Sequence, residues 1–310
     1  MAGKAGQGHG VFFRKGVQAM RAQSSPPVGR ERRMDGFEGK VAVVTGAASG
    51  IGRETARLFA SRGARMAVAD IDGDGLESLR RELEEGGREV LAVRVDVAQA
   101  QEVERFCEEV YGRFGRADVL VNNAGVGLGG LMEDLSLEDW RWLLGINLWG
   151  VIHGCHYFYP RMVEQGGGHI VNLSSAAALG FLPGLIAYNV SKYAVLGLSE
   201  SLRAEAARHR VGVSAICPGI VKTNITVNSP VRSGVRGRPP EAVLSRVDRL
   251  YRRRGYPPEK VAEAIVKAVE KNKGVVPVTP ETYILDLVRR LSRSLYGRIG
   301  ALLVRLFIGS

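Results

Sequence analysis

The feature that most constrains this chain is a run of apolar residues, Val41–Val44, that leads directly into a glycine-rich stretch, Thr45–Gly52. A short β-branched run bounded by a turn signal predicts a buried strand. From Gly50 to about Arg62 the pattern becomes helical. A strand, a tight glycine turn and a helix in this order predict the first unit of a parallel α/β sheet.

The same alternation of strands and helices continues along the chain. Further strands are predicted at 65–70, 90–95, 119–121, 169–173, 211–216 and 275–276, with helices at 74–85, 99–114, 137–164, 188–209 and 258–271. The strand runs are apolar throughout, which is typical of parallel strands covered on both faces. We therefore predict the α/β class: a Rossmann-type doubly wound parallel sheet with helices on both faces, forming one domain followed by a C-terminal amphipathic helix.

The charge distribution divides the chain into a mildly acidic body and basic peripheral segments. The net charge is +11, and the first 33 residues carry seven Lys or Arg against one acid. We predict a disordered basic arm at 1–36, a catalytic domain at 37–280 with a substrate lid at 222–258, and a basic amphipathic extension at 281–310. No nucleic-acid motif accompanies the charge, so a nucleic-acid partner is not predicted.

The cysteines and the N-terminal segment bear on location and on metal binding. Three cysteines are scattered through the chain, and no pair has the spacing of a metal site. The first residues contain no apolar core of the signal-peptide type. We therefore expect a cytoplasmic protein without a metal site.

The glycine stretch predicts a dinucleotide site. Gly46, Gly50 and Gly52 follow a strand and open a helix, so backbone N–H groups and the positive helix end point at one place, as a pyrophosphate requires. Asp70 ends the second strand, where a carboxylate accepts hydrogen bonds from ribose hydroxyls and repels a 2′-phosphate. Neither Ser49 nor Ile71 supplies a cation, so NAD is favoured over NADP. Alternatively, Asp70 is only a turn residue at the strand end.

Tyr188 and Lys192 are the candidate catalytic pair. They lie one helical turn apart and so share a helix face. A neighbouring ammonium stabilises a phenolate, which lets a tyrosine act as acid and base. Ser175 follows the fifth strand and can orient a substrate oxygen, and the Asn147 amide can hold a water for proton exchange. The Tyr-Lys spacing alone is usually a solvated helix face; the ordered conjunction with the other motifs gives it weight.

These motifs together resemble the short-chain dehydrogenase/reductase superfamily, in its compact single-domain branch, from about Phe37 to Pro280. The resemblance rests on the following residues: Thr45, Gly46, Gly50, Ile51, Gly52, Asp70, Asp96, Asn122–Gly125, Asn147, Ser174, Ser175, Tyr188–Lys192, Pro218, Gly219 and Thr223. It implies an NAD- or NADP-dependent interconversion of alcohols and ketones, with Asn147, Ser175, Tyr188 and Lys192 as the catalytic group. It also implies a homodimer or homotetramer.

The cofactor-binding residues implied by these motifs and their positions form a larger set. They are Gly46, Ser49, Gly50, Ile51, Gly52, Asp70, Asp96, Val97, Asn123, Ala124, Gly125, Tyr188, Lys192, Pro218, Gly219, Ile220 and Thr223. Asp96 and Val97 follow the third strand, a position from which they can contact the adenine. The resemblance places the Ile220 backbone and Thr223 at the nicotinamide carboxamide.

The sequence does not identify the substrate. The leading hypothesis is a secondary alcohol or ketone of lipophilic character. The Arg-rich lid suggests an alternative, a reductase of 3-oxoacyl or polyketide-type intermediates, and a remote third possibility is a non-catalytic NAD-sensing scaffold. In the tail, 283–307, apolar residues recur at helical spacing with arginines between them, which predicts a helix that lies on a membrane, packs on a partner or roofs the pocket.

Overall fold

The computed structural model describes Met34 and residues 36–226, 229–234 and 239–307, so nearly all of the arm predicted at 1–36 lies outside the described residues. The strands are β1 (Val41–Thr45), β2 (Arg65–Asp70), β3 (Val90–Arg94), β4 (Val119–Asn122), β5 (Gly168–Leu173), β6 (Val211–Cys217) and β7 (Val275–Pro277). They form one parallel sheet in the order β3-β2-β1-β4-β5-β6-β7. The predicted fold class is confirmed.

Helices cover both faces of this sheet. They are α1 (Gly50–Ser61), α2 (Gly73–Glu85), α3 (Ala100–Phe114), α4 (Leu137–Leu144), α5 (Gly150–Glu164), α6 (Ile186–Ala206), α7 (Pro240–Arg254), α8 (Pro258–Glu270), α9 (Pro280–Leu291) and α10 (Arg293–Phe307). Among the described helices, none has both the length and the apolar character needed to cross a membrane.

Alternate side chains of β1 show how the two layers are held. Ala42 and Val44 pack with α1, α2 and α8 on one face of the sheet. Val41 and Val43 pack with α3, α5 and α6 on the other. Because successive strand residues point to opposite faces, the apolar run Val41–Val44 joins two separate cores, as the sequence predicts for this architecture.

The site position follows from the strand order. β1 pairs with β2 on one side and with β4 on the other, and Val44 lies opposite Val121 in that second pairing. The direction of winding reverses between these neighbours, which leaves a crevice beyond their carboxyl ends. The glycine stretch after β1 and Asn122–Gly125 at the end of β4 therefore meet at one point.

Two helical predictions need correction. The helix predicted at 137–164 is interrupted by a π-helical turn, Gly145–Trp149, which contains Asn147. The helix predicted over 283–307 is broken at the extended residue Ser292. Gly300 stays inside α10, where a Cβ atom would come 2.3 Å from the Phe181 ring. Glycine serves there for close packing rather than for ending the helix.

Candidate active site

The loop after β1 is shaped by glycines with left-handed backbone. Gly46 has φ +64° and Gly50 has φ +53°, a conformation that glycine adopts without steric cost. A Cβ atom on Gly46 would lie 2.7 Å from the Ala124 Cα atom, so the loop can approach the end of β4 only without a side chain. Ser49 begins α1 without making a capping hydrogen bond, and the N-terminal helix dipole points into the crevice.

Thr45 and Asn123 fasten this loop to the end of β4. The Thr45 hydroxyl oxygen accepts hydrogen bonds from the N–H groups of Asn123 (3.1 Å) and Ala124 (3.2 Å). In return the Asn123 amide nitrogen donates to the carbonyl oxygens of Thr45 (3.0 Å) and Gly46 (2.9 Å). Both hydrogens of the Asn123 amide are thus used within the protein, and only its oxygen remains for a ligand.

Asp70 also braces the loop. One carboxylate oxygen accepts from the N–H group of Ala48 (2.8 Å) and the other from that of Asp72 (3.0 Å). Each carboxylate oxygen has a further acceptor position. The side chain therefore combines the turn role considered from the sequence with a position on the cavity wall.

Lys192 is a buried cation beside Tyr188. Only 5% of Lys192 is exposed, and its ammonium donates to the Leu173 carbonyl oxygen over 2.9 Å. The Nζ atom lies 5.7 Å from the centroid of the Tyr188 ring, as their shared helix face predicts. Burial lowers the pKa of Lys192 to about 8, because removing the ammonium from water disfavours its charged form.

Ser175 stands where β5 ends. Its backbone is extended, and its hydroxyl oxygen accepts from the Ala177 N–H group over 3.2 Å, which caps a short 3₁₀ turn, Ala176–Ala178. This bond uses the oxygen only as an acceptor, and a hydroxyl has one hydrogen to donate. Ser175, Tyr188 and Lys192 all line the same cavity.

Asn147 does not line that cavity. Its side chain is fully buried, with Oδ1 accepting from the Val126 N–H group (2.8 Å) and Nδ2 donating to the Val126 carbonyl (2.9 Å) and the Ser191 hydroxyl (3.2 Å). Because both amide hydrogens are used, Asn147 cannot hold a water by donating to it. A Cβ atom on Gly125 would lie 3.2 Å from Asn147 Oδ1 and 3.5 Å from Lys192 Nζ, so glycine keeps the space between them open.

The cavity has a volume of about 440 Å³, within the range of small-molecule and cofactor sites. Most of the residues predicted from the sequence line it: Gly46, Ser49, Gly50, Ile51, Asp70, Asp96, Val97, Asn123, Ala124, Gly125, Ser175, Tyr188, Lys192, Pro218, Gly219, Ile220 and Thr223. Besides Asn147, only Gly52 of the predicted set does not. A Cβ atom on Gly52 would lie 2.0 Å from the Gly46 carbonyl oxygen, so Gly52 supports the loop from behind.

Sequence reasoning missed part of the cavity wall. Leu182, Ile225, Glu281 and Leu285 also line the cavity, and the last two come from α9. Thr279 is the N-cap residue of this helix, and its hydroxyl accepts from the Gly219 N–H group over 3.1 Å. The amphipathic pattern of the tail was visible in the sequence, but nothing in it showed which side of the helix faces the cavity.

The stretch predicted as a lid is anchored at several points. The Arg232 guanidinium donates to Asp139 over 2.8 Å and 3.0 Å and holds the pKa of that carboxyl below its ordinary value. The N–H group of Gly129 donates to the Pro230 carbonyl over 2.9 Å, and that of Arg232 donates back to the Gly129 carbonyl over 2.8 Å. Residues 229–234 are therefore fixed to the loop before α4.

Possible metal ligands and a buried histidine outside the cavity are further features of the described part of the chain. Within those ranges, no three His, Cys, Asp or Glu side chains are grouped so that they could hold a metal ion. His169 is buried beside Ser214 (2.8 Å), and burial lowers the pKa of its ring to about 3. A histidine that stays neutral in the sheet interior packs there and takes no part in this cavity.

Comparisons with known proteins agree with this geometry. The family model "short chain dehydrogenase" matches residues 40–232. The "probable oxidoreductase EphD" of Mycobacterium tuberculosis is 42% identical over 89% of this chain, and the match spans 47% of that protein's length. The 3-oxoacyl-[acyl-carrier-protein] reductase FabG of Thermotoga maritima is 36% identical over 74% of this chain and 90% of its own length.

A solved structure gives the same result. The short chain dehydrogenase/reductase of Burkholderia phymatum in complex with NAD superimposes with a TM-score of 0.78 at 34% identity, covering 84% of this chain and 96% of that one. The strand order, the glycine loop and the cavity of this chain are those of a nicotinamide-dependent fold. The chain therefore belongs to the short-chain dehydrogenase family.

Proposed function

We propose that this chain interconverts a secondary alcohol and a ketone of a lipophilic substrate, with NAD as cofactor. The observation that carries the proposal is a single cavity that holds Ser175, Tyr188 and Lys192 at one end and Asp70 with the glycine loop at the other. Asp70 and the glycine loop would hold the adenosine half of a cofactor, and the residues around Tyr188 would hold its nicotinamide. The oxidoreductase class of the family supports the reaction type.

The residues present fit a dinucleotide. The uncapped N-terminus of α1 suits a pyrophosphate, and Asp70 keeps acceptor positions for ribose hydroxyls. The close packing of Gly46 against Ala124 keeps side chains out of the floor of the crevice. When bound, the nicotinamide supplies the acceptor or donor of the hydride.

Each catalytic residue has a separate task in this proposal. The Ser175 hydroxyl donates to the substrate oxygen and orients it. In the direction of oxidation, the Tyr188 oxygen takes the proton of the substrate hydroxyl, and it returns a proton in reduction. The Lys192 ammonium, 5.7 Å from the Tyr188 ring centroid, stabilises the phenolate. Asn147 positions this group by fixing Val126 and Ser191.

Proton exchange with solvent is assigned to the space beside Gly125. Asn147 Oδ1 and Lys192 Nζ lie 3.2 Å and 3.5 Å from the position that a Cβ atom on Gly125 would take, and we propose that a water close to both accepts from the ammonium and donates to the amide oxygen. This differs from the sequence-based expectation, in which the Asn147 amide holds the water without further restriction. Here its oxygen is the only side-chain atom that can take part.

Asp70 supports the preference for NAD over NADP, but the structure adds a cation that the sequence did not reveal. The β2–β3 pairing sets Arg94 opposite Asp70, and its guanidinium donates to the Ile71 carbonyl over 3.2 Å. Binding constants for both cofactors, measured with wild type and Arg94→Gln, test the preference. Tighter binding of NADP than of NAD by the wild type contradicts the assignment.

The lipophilic substrate is inferred from the wall of the cavity beyond Ser175. Leu182, Ile225 and Leu285 are apolar, and Glu281 is the acidic residue at this end. Apolar walls favour a substrate with a hydrocarbon body, while the hydroxyls of Ser175 and Tyr188 hydrogen-bond to its one reacting oxygen.

A second candidate substrate is a 3-oxoacyl thioester. It is favoured by the similarity to the Thermotoga maritima reductase and by α7, whose exposed Arg246 and Arg249 follow the cavity-lining residues Asn224 and Ile225. A cationic helix beside the cavity suits an acidic carrier or a phosphorylated thiol. Turnover of 3-oxoacyl thioesters above that of free ketones would favour this candidate.

The proposal for the assembly is a homodimer or homotetramer. Trp142 and Trp149 are partly exposed, and Leu137 is exposed, in the stretch around the π-helical turn. Exposed aromatic residues of this kind are enriched in subunit interfaces. Sedimentation velocity measures the mass, and a monomer at micromolar concentration contradicts the proposal.

The test of the function is Tyr188→Phe, assayed at the nicotinamide absorbance with a panel of steroids, retinoids, secondary alcohols and 3-oxoacyl thioesters. We expect turnover to fall by at least about a hundredfold, since acid–base groups contribute roughly 10²–10⁴-fold, while NAD binding persists. Tyr193→Phe, one position beyond Lys192, is the matched control. Residual activity near the wild-type level in Tyr188→Phe would contradict the assigned role.

A further inference from the structure

We propose that the outer side of α9 docks on the surface of an anionic lipid bilayer and thereby holds the mouth of the cavity against the membrane. The proposal rests on the proposed function only in taking the cavity as the substrate site. Docking in this position would let a lipophilic substrate enter the cavity directly from the lipid phase.

The outer apolar face of α9 consists of Tyr283, Ile284, Leu287 and Leu291. These side chains are 57%, 64%, 57% and 75% exposed, respectively. At 100° per residue they fall within an arc of about 100° on one side of the helix. A continuous apolar surface of this kind on a soluble domain marks an interaction site.

The opposite side of the same helix is built into the catalytic domain. Thr282 is fully buried, and the Arg289 guanidinium donates to the Ala178 carbonyl over 3.0 Å and lies 5.3 Å from the Tyr193 ring centroid. Leu285 packs against Gly180 and lines the cavity. Leu285 and the exposed Ile284 are consecutive, so the cavity wall and the outer face belong to one turn of helix.

A second contact places α10 at the same rim. Its Tyr296 ring lies 4.6 Å from the Phe181 ring, centroid to centroid, and its hydroxyl hydrogen-bonds that of Tyr193. Phe181 is partly exposed, while the next residue, Leu182, lines the cavity. On α10 itself, Leu302 is exposed. Apolar side chains therefore lie next to cavity-lining residues at two places, on α9 and at Phe181.

The charge of the two helices favours an anionic surface as the occupant. From 281 to 310 the chain carries five arginines and two acids, and Asp286 is already paired with Arg290 over 2.9 Å. Arg290, Arg298 and Arg305 are exposed. An isologous contact with a second copy would bring the same cationic face against itself, whereas each arginine near anionic lipid contributes attraction.

The test is co-sedimentation of the full-length protein with vesicles, without NAD or substrate. Vesicles contain phosphatidylglycerol in phosphatidylcholine, or phosphatidylcholine alone, at low and high salt. We expect wild type to pellet with the anionic vesicles, and high salt to weaken the binding. Ile284→Glu/Leu287→Glu should bind at least about tenfold more weakly, because it places charges in the inserted face.

Two further variants separate the causes. Arg298→Gln/Arg305→Gln should also weaken binding by about tenfold or more, since it removes two cationic contacts and leaves the apolar face intact. Met132→Glu is the matched control, because Met132 is comparably exposed but lies outside α9 and α10. Thermal unfolding of every variant confirms that it folds.

The outcomes that overturn the proposal are distinct from failure of the enzyme assignment. Wild type that stays in the supernatant refutes the docking, as does equal pelleting of both double variants and wild type. A different result would show that a second copy covers the face. In that case wild type does not bind vesicles and is an oligomer in sedimentation velocity, whereas Ile284→Glu/Leu287→Glu is a monomer. Turnover of a short water-soluble alcohol reports separately on the proposed function, and we expect it to be unchanged in these variants.

Discussion

Replacing Lys192 by methionine tests whether its buried ammonium is held at a cost in stability. Lys192 is almost completely buried, and its ammonium donates to the Leu173 carbonyl. Burial lowers the pKa of Lys192 from 10.5 to about 8 in the folded protein. Methionine has a similar unbranched shape and no charge, so the substitution removes the titration with little change in packing.

The sign of the effect follows from where the proton binds. Between pH 8 and 10.5 the unfolded chain binds the Lys192 proton and the native protein does not, so the free energy of unfolding rises with pH in this window. Below pH 8 both states are protonated and the full penalty is present. The shift corresponds to about 3.4 kcal/mol at 1.36 kcal/mol per pKa unit, of which about 2.5 kcal/mol is relieved from about pH 7 to about pH 10.

The assay is urea unfolding of the cofactor-free protein, followed by tryptophan fluorescence, for wild type and Lys192→Met over that range. Other titrating groups are common to both proteins and cancel in the difference. We expect wild type to gain about 2.5 kcal/mol relative to the variant as the pH rises. Lys260→Met is the control: hydrogen bonding to Glu263 raises the pKa of Lys260, so no such gain is expected. A wild-type–variant difference that does not change with pH would refute the reasoning.

Three further substitutions address the cofactor loop and the cavity wall. Asp70→Ala should weaken NAD binding by roughly tenfold to a hundredfold through loss of charged hydrogen bonds, whereas the control Asp74→Ala should not. Calorimetric titration measures the affinities of both variants for NAD and NADP. An equal loss of affinity for the two cofactors in Asp70→Ala contradicts the prediction. Gly52→Ala should lower the melting temperature and the NAD affinity, because a Cβ atom would lie 2.0 Å from a carbonyl oxygen. In contrast, Gly112→Ala, in a helix with open space around it, should add about 0.5–1 kcal/mol of stability, and matching melting curves for the two variants would refute this. Leu285→Ala should raise KM for a lipophilic substrate by roughly tenfold and hardly affect a short alcohol, so an equal effect on both would remove α9 from the substrate wall.

Much of the fold could be predicted because strand and glycine signals here are local. The run Val41–Val44 and its continuation to Gly52 identify one unit, and the repetition of that unit determines the sheet. The parallel sheet with helices on both faces is confirmed. The site residues could be placed along the chain by the same logic, since the carboxyl ends of neighbouring strands must meet at one edge.

The remainder depended on side-chain contacts that sequence spacing does not encode. Asn147 has the expected position but sits in a π-helical turn with both amide hydrogens used, a rearrangement that requires knowing where Val126 and Ser191 lie. Arg94 is distant from Asp70 in sequence and comes beside it through strand pairing. These are long-range consequences of register, and no local pattern contains them.

The C-terminal tail shows the same limit of sequence-based prediction. Its apolar periodicity predicts a helix, and apolar residues of that pattern, such as Ile284 and Leu287, are exposed. Leu285, which falls between them, faces the cavity instead. Hydrophobic periodicity identifies a face but not its partner, because a helix that packs through one leucine, a threonine and an arginine stem has no strong apolar signal on that side.

The base of the segment 222–256, which lies in the stretch predicted as a lid, has a consequence for how this chain can change over time. The Tyr256 N–H group donates to the Ile220 carbonyl over 2.7 Å, and the Lys222 N–H group donates to the Tyr256 carbonyl over 2.9 Å. The chain therefore leaves and re-enters the domain at a closed, backbone-bonded neck. Loop-closure entropy grows by only about 0.6 kcal/mol for each doubling of length, so α7, which follows the anchored stretch 229–234, can be lengthened or rewritten while the cavity-lining residues Thr223, Asn224 and Ile225 stay in place. Under the proposed function, new substrates become reachable through this one segment, while the residues proposed for hydride transfer stay unchanged.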